Sequence, residues 1–254
     1  MSGELVGRAR GLARSLVPSY AAFWRRRRMT AFYGQFVGPG DLAFDVGSHV
    51  GTRLRAFRTL GTRVVAVEPQ PDLVAVLRRL YGRDPLVTVE TCAVGARTGT
   101  ATLQIATRTP TVSTVAPSWI DEVRSDPRFT AVRWDQELTV PLTTLDSLVE
   151  RHGEPRFCKI DVEGSELDVL LGLSRPLPAL SFEYLAVVSH RAAACVERLA
   201  ELGSYRFTYS PLETLRWATD RWLDAEEIVA ELRALPRSAP PGDVYAVRAD
   251  TARL

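Results

Sequence analysis

The sequence predicts a doubly wound α/β protein with a mostly parallel central sheet. Three observations predict it. Short, uninterrupted apolar runs alternate with amphipathic segments of helical period along most of the chain. The apolar runs lack a polar face, as strands covered by helices on both sides require. Several of them carry an acidic residue at or near the carboxyl end, Asp45, Glu68, Asp161 and Glu183, and the carboxyl ends of strands are where ligands bind in such sheets.

Taken in order, residues 42–46 form the first apolar run, closed by Gly47. Residues 52–60 place Leu54, Phe57 and Leu60 on one helical face, and Gly61 stops them. Residues 63–68 form the second buried strand. Pro71 and Asp72 then open a helix with Leu73, Val76, Leu77 and Leu80 on one side. Residues 87–94 read as the third strand, and 100–106 alternate as a hairpin arm does. Residues 107–138 show little periodicity and contain Trp119 and Trp134. So long an irregular stretch in a compact domain is expected to be a lid or an acceptor-binding loop. Residues 140–142 resume the sheet, and Thr144 caps a helix carrying Leu145, Leu148 and Val149. Strands follow at 157–162 and 179–185, with helices at 165–173 and 191–202. The last two strands, 205–209 and 244–247, are expected to be antiparallel, with a helix at 224–235 between them. The whole reads as one Rossmann-like domain over residues 37–254, preceded by a helical extension over 1–36.

Composition narrows the function. Of 254 residues, 46% are hydrophobic and 24% charged, which excludes disordered, collagen-like and disulfide-scaffold classes. A net charge of +2 gives no basic stripe of the kind nucleic-acid binders carry, so no nucleic-acid partner is expected. No window of about 18 apolar residues predicts a membrane span. Cys92, Cys158 and Cys195 have neither metal-ligand nor disulfide spacing and read as reduced thiols of a cytoplasmic protein. The run Phe23-Trp24-Arg25-Arg26-Arg27-Arg28 follows, rather than precedes, an apolar stretch, so it is no signal peptide. It reads as the wet face of a helix packed across the domain. The alternative is a peripheral membrane or acidic-partner contact, with Tyr20, Phe23 and Trp24 entering an interface.

The strand ends carry the chemistry. The first ends in Asp45-Val46-Gly47-Ser48-His49-Val50-Gly51, a turn that lets backbone approach a ligand at the next helix. The second ends in Glu68, placed about twenty residues after Gly47 to accept both hydroxyls of an adenosine ribose. Dinucleotide-dependent dehydrogenases and S-adenosylmethionine-dependent methyltransferases both use this geometry. The dinucleotide pattern needs a third glycine where His49 stands. Asp45 would also repel a phosphate, yet suits the ammonium of a methionine tail.

Further along stands Lys159-Ile160-Asp161-Val162-Glu163-Gly164-Ser165-Glu166. With Asp45-Val46-Gly47, Gly51, Glu68-Pro69 and Phe182-Glu183, this block resembles the FkbM family of methyltransferases over roughly residues 40–187. His49 departs from the Asn more usual there, but both side chains can donate a hydrogen bond. The resemblance implies a Rossmann-like fold that binds S-adenosyl-L-methionine and an O-methyltransferase acting on a hydroxyl of a sugar or secondary metabolite. The rivals are an NAD(P)-dependent dehydrogenase and a non-catalytic module that keeps the fold.

The expected cofactor-binding residues are Asp45, Gly47, Ser48, His49, Gly51, Glu68, Pro69, Ala93 and Asp161. A hydroxyl acceptor needs a base, and Asp161, Glu183 and His190 are the candidates. Lys159, the only lysine, is expected to pair with a carboxylate, and Glu166 to face its own helix start. Asp161 and Glu183 offer the hard oxygens that suit Mg²⁺, without a metal-binding motif around them.

Overall fold

The computed structural model describes residues 23–250. Its main sheet has seven strands: β1 (Leu42–Val46), β2 (Arg63–Val67), β3 (Val87–Glu90), β7 (Phe157–Ile160), β8 (Ala179–Tyr184), β9 (Tyr205–Pro211) and β10 (Gly242–Arg248). They lie in the order β3-β2-β1-β7-β8-β10-β9. The four pairings from β3 to β8 are parallel; β10 runs antiparallel to both β8 and β9. The order reverses between β1 and β7, where Val46 sits opposite Ile160. This reversal is the topological switch point, and it opens a crevice at the strands' carboxyl ends.

Both faces of the sheet are covered, which explains the continuous apolar runs. One face buries Phe44, Val46, Ile160 and Phe182 under α5 (Leu145–His152), α6 (Glu166–Leu171), α7 (Ser189–Leu202) and α8 (Ala225–Ala234). The other buries Ala43, Ala66, Phe157 and Tyr245 under α1 (Phe23–Tyr33), α2 (Thr52–Thr59) and α3 (Pro71–Tyr81). Alternate residues of one strand point to opposite faces, so β7 sends Phe157 one way and Cys158 the other.

The basic helix α1 is part of this second layer. Met29, Phe32 and Tyr33 are buried, and Tyr33 packs its ring 4.9 Å from that of Phe57. Trp24 and the arginines at 25–28 are exposed. Tyr20 and the rest of residues 1–22 lie outside the described residues, as does the Phe23 side chain.

The structure differs from the sequence reading in two stretches. Residues 87–94 do not form one strand. The chain bends at Thr91–Cys92, so β3 joins the main sheet and β4 (Ala93–Val94) joins a second one. That smaller sheet has the order β4-β6-β5, from β5 (Gly99–Ile105) and β6 (Gln136–Thr143). Residues 107–138 are also more ordered than expected. They hold a single turn at Pro110–Val112, helix α4 (Pro117–Val123) and the first three residues of β6. α4 is too short to show a clear period, but Trp119, Ile120 and Val123 bury a small core with Phe129 and Leu185. Trp134 donates its indole N–H to the Val112 carbonyl at 2.8 Å. The segment is therefore an apolar subdomain in miniature, and its near edge faces the crevice.

No helix among the described residues is long and apolar enough to cross a membrane. The three cysteines are buried and free.

Candidate functional site

The β1 turn is built by its own side chains. Gly47 and Ser48 both donate backbone N–H groups to the Val67 carbonyl, which ties the turn to β2. Oδ2 of Asp45 accepts from Ser48 Oγ at 2.8 Å and from the Leu54 amide at 3.1 Å. The carboxylate thus staples the turn to α2, and burial pushes its pKa up. Gly47 adopts φ 81°, and a Cβ there would lie 1.8 Å from the Asp161 carbonyl oxygen. Only glycine lets the ends of β1 and β7 meet this closely. Gly51 caps the start of α2.

Glu68 and His49 meet across the crevice. Oε2 of Glu68 accepts the His49 amide at 2.8 Å, and Oε1 accepts the Gln70 amide at 2.9 Å. Each oxygen keeps a second lone pair. Burial raises the Glu68 pKa to about 7, against those two hydrogen bonds. His49 is in the left-handed region at φ 50°, and burial lowers its pKa to about 4, so its ring is neutral. Nε2 of His49 and Oε1 of Gln70 are both buried without a partner. Gln70 follows Pro69 at the N-cap of α3, and the sequence reading passed it over.

The other half of the crevice is acidic. Lys159 is wholly buried and places Nζ 3.2 Å from Asp161 Oδ2 and 3.1 Å from Asp243 Oδ1. Burial disfavours the ionised Asp161 carboxylate, but Lys159 and Arg53 overcome this and hold its pKa below the usual range. Burial and the neighbouring carboxylates push Glu163 and Glu183 well above theirs. Asp243 sits opposite Glu183 in the β8–β10 pairing, a neighbour no sequence spacing reveals.

Glu163 takes φ 52° in the turn after β7, followed by Gly164 at φ 93°. The surroundings pin this turn. Glu166 Oε1 accepts the Val162 and Gly164 amides, both at 3.2 Å. Thr114 donates its hydroxyl to the Glu163 carbonyl at 2.6 Å, and Arg191 donates to the Gly164 carbonyl at 2.9 Å.

One cavity of about 440 Å³ joins these parts, in the range that small-molecule sites occupy. Asp45, Gly47, Ser48, His49, Glu68, Pro69, Ala93, Asp161 and Glu183 all line it; Gly51 lies behind the turn and does not. Residues from the expected lid, including Thr111 and Thr114, form part of its wall. His190 stands apart. Its side chain is 68% exposed on α7, and Nε2 lies 3.3 Å from Glu122 Oε2. Its place on the outer side of α4 and α7 removes it from the group that can meet a ligand in the cavity.

The cavity's chemistry suits an adenosyl ligand. An acidic residue ends β2, and two buried polar atoms in the lining, on His49 and Gln70, await partners. Oxygens of Asp161, Glu163 and Glu183 come within 4.8 Å of one another, close enough to share a cation. Lys159 already neutralises one of them, and nothing further in the group singles out Mg²⁺.

The profile described as the Methyltransferase FkbM domain matches residues 45–205. A search of the curated proteins returns no match. Among solved structures, the chain is similar to precorrin-6y C5,15-methyltransferase from Geobacter metallireducens, with 8% identity, TM-score 0.45 and 87% of each chain covered. It is similar to a TehB-like SAM-dependent methyltransferase from Corynebacterium glutamicum, with 9% identity, TM-score 0.46 and 92% and 93% covered. Fibrillarin from Aeropyrum pernix, solved with natively bound S-adenosyl-L-methionine, shows 11% identity and TM-score 0.43, covering 84% of this chain and 68% of its own. At this likeness none of the three bears on the reaction of this chain.

Proposed function

The chain belongs to the FkbM methyltransferase family, and from that premise we propose that it O-methylates a hydroxyl of a small sugar or secondary metabolite. The family requires S-adenosylmethionine, and a dehydrogenase no longer fits. When bound, that cofactor supplies a methyl group already activated on a sulfonium. The protein's tasks are to hold the cofactor, orient a hydroxyl and take its proton.

The observation that carries the reading is Asp161. It stands at the carboxyl end of β7 beside the Gly47 turn, lines the cavity and is held ionised by Lys159. A carboxylate so placed can accept the proton of an acceptor hydroxyl as its oxygen becomes nucleophilic. Glu163 and Glu183, with raised pKa values, serve as hydrogen-bond donors to other hydroxyls of the acceptor. Glu68, His49 and Gln70 take the adenosine end, and residues of 107–138 close the cavity against water.

Asp161→Asn tests the assignment. It should keep S-adenosylhomocysteine affinity within about 1 kcal/mol while single-turnover transfer falls roughly 10²-fold or more, the size of a general-base contribution. Unchanged turnover would remove Asp161 from the mechanism. Loss of cofactor binding would make Asp161 a binding residue instead.

A further inference from the structure

Arg25 and Arg53 enter the same cavity from different elements, α1 and the first turn of α2. Glu213 stands between them. Arg53 Nη1 lies 2.8 Å from Glu213 Oε1, and Arg25 pairs with Glu213 Oε2. Nε of Arg53 is buried without a partner, so this guanidinium keeps an unused donor beside the cavity that Arg53 lines. Two guanidinium groups converging on one carboxylate form a recognition geometry that a carboxylate ligand can match equally well.

The loop that brings Glu213 there is held at a cost. Leu212 and Leu215 flank it at φ 51° and 52°. Each is a branched residue in a region that L-residues disfavour. Leu212 is also 54% exposed while lining the cavity. The loop is held by the Leu212 amide donating to the Pro241 carbonyl, by Arg28 donating to the Thr214 carbonyl, by Leu215 packing on the core, and by the two ion pairs of Glu213. The charges nearby already balance: Arg25, Arg53 and Lys159 face Glu213, Asp161 and Asp243. Withdrawing Glu213 leaves a vacancy for a single anion.

We propose that Arg25 and Arg53 form a carboxylate-binding site in the cavity, filled by Glu213 in the free protein and taken over by a ligand carboxylate. The proposal rests on the cavity being the methyl-transfer site. The carboxylate comes either from the methionine tail of the cofactor or from an acid group on the acceptor.

Calorimetry separates the two sources. S-adenosylhomocysteine and 5′-methylthioadenosine, which lacks the carboxylate, are titrated into wild type, Arg25→Met, Arg53→Met and Glu213→Gln. If the site serves the cofactor, both arginine variants weaken S-adenosylhomocysteine about tenfold, one charge-assisted hydrogen bond. Glu213→Gln then strengthens it several-fold, and methylthioadenosine binds all four alike. If the site serves the acceptor, S-adenosylhomocysteine binds all four alike. In protein saturated with it, glucuronate but not glucose then shows saturation-transfer NMR contact, weakened in the arginine variants and strengthened in Glu213→Gln. Absence of both patterns overturns the site. Should Arg53→Met lose methylthioadenosine through collapse of the turn, the exposed Arg25 carries the comparison. Failure of wild type to bind either nucleoside sinks the methyl-transfer reading and this site with it.

Discussion

Each oxygen of the Glu68 carboxylate accepts one backbone N–H, and burial still lifts its pKa to about 7 from an ordinary 4.5. A raised acid stabilises the fold in its neutral form. That contribution is fully present below the unfolded value of 4.5 and is lost as pH rises through about 7. Ribose hydroxyls need the opposite state, since the ionised form accepts best. S-adenosylhomocysteine affinity should therefore rise between about pH 6 and pH 8, then level off. In Glu68→Gln it should be flat with pH and weaker by about 1.5–3 kcal/mol at pH 8, the scale of charge-assisted hydrogen bonds. Calorimetry at four pH values checks both; a wild-type curve as flat as the variant's would take the ribose away from Glu68. His49 illustrates a different balance. Its neutral ring, buried Nε2 and backbone bond to Glu68 make it a hydrogen-bonding wall of the site rather than a titrating group near neutral pH.

At the scale of elements, the turns after β1 and β7 depend on each other and on the small core around α4. Gly164 adopts φ 93°, and a Cβ there would meet Trp119 Cγ at 2.2 Å. Trp119 is itself 1% exposed, so it has nowhere to move. Gly164→Ala should cost about 2–6 kcal/mol, one overpacking cost plus one left-handed backbone cost. Urea unfolding measures it, and a change under about 1 kcal/mol would mean that α4 gives way freely. The same contacts divide the segment expected to be a lid. The stretch before α4 borders the cavity with few buried side chains, whereas α4 packs Trp119, Ile120 and Val123 inward. Amide exchange should be fast over 107–113 and slow over 117–123, with cofactor and acceptor slowing the first stretch only. Uniform exchange across both would refute this division. The Thr144 cap of α5 was readable from residue type because caps act over three residues; the capping box of α8, Asp224 with Glu227, appears only in the structure.

Across the whole molecule, Lys159 joins the two halves of the sheet. It lies on β7 and bridges Asp161 at the same strand's end to Asp243 on antiparallel β10, two strands away. Its pKa is raised: burial opposes the charge, but Asp161 and Asp243 overcome it. The Lys159 contribution is present below its unfolded value of 10.5 and lost as pH rises through the folded one. The depressed Asp161 contributes above 3.8, lost as pH falls through its folded value. Between these limits, Lys159→Met should cost about 3–5 kcal/mol by leaving buried carboxylates unpaired. Denaturation at neutral pH measures that cost, and a near-neutral variant would show that the two aspartates do not need a cation. What the sequence by itself determined is the alternation of elements, the capping of the helices, and the strand-end motifs at Asp45, Glu68 and Asp161. Each of these is written in neighbours a few residues apart, where period and residue type act locally. Only the tertiary structure decided the rest. The split of residues 87–94 between two sheets, the pairing of Asp243 with Lys159, the removal of His190 to the outer surface, and the meeting of Arg25, Arg53 and Glu213 all join residues distant along the chain. Those positions follow from which strands lie side by side and which faces they bury, and no local pattern of residue types encodes that choice.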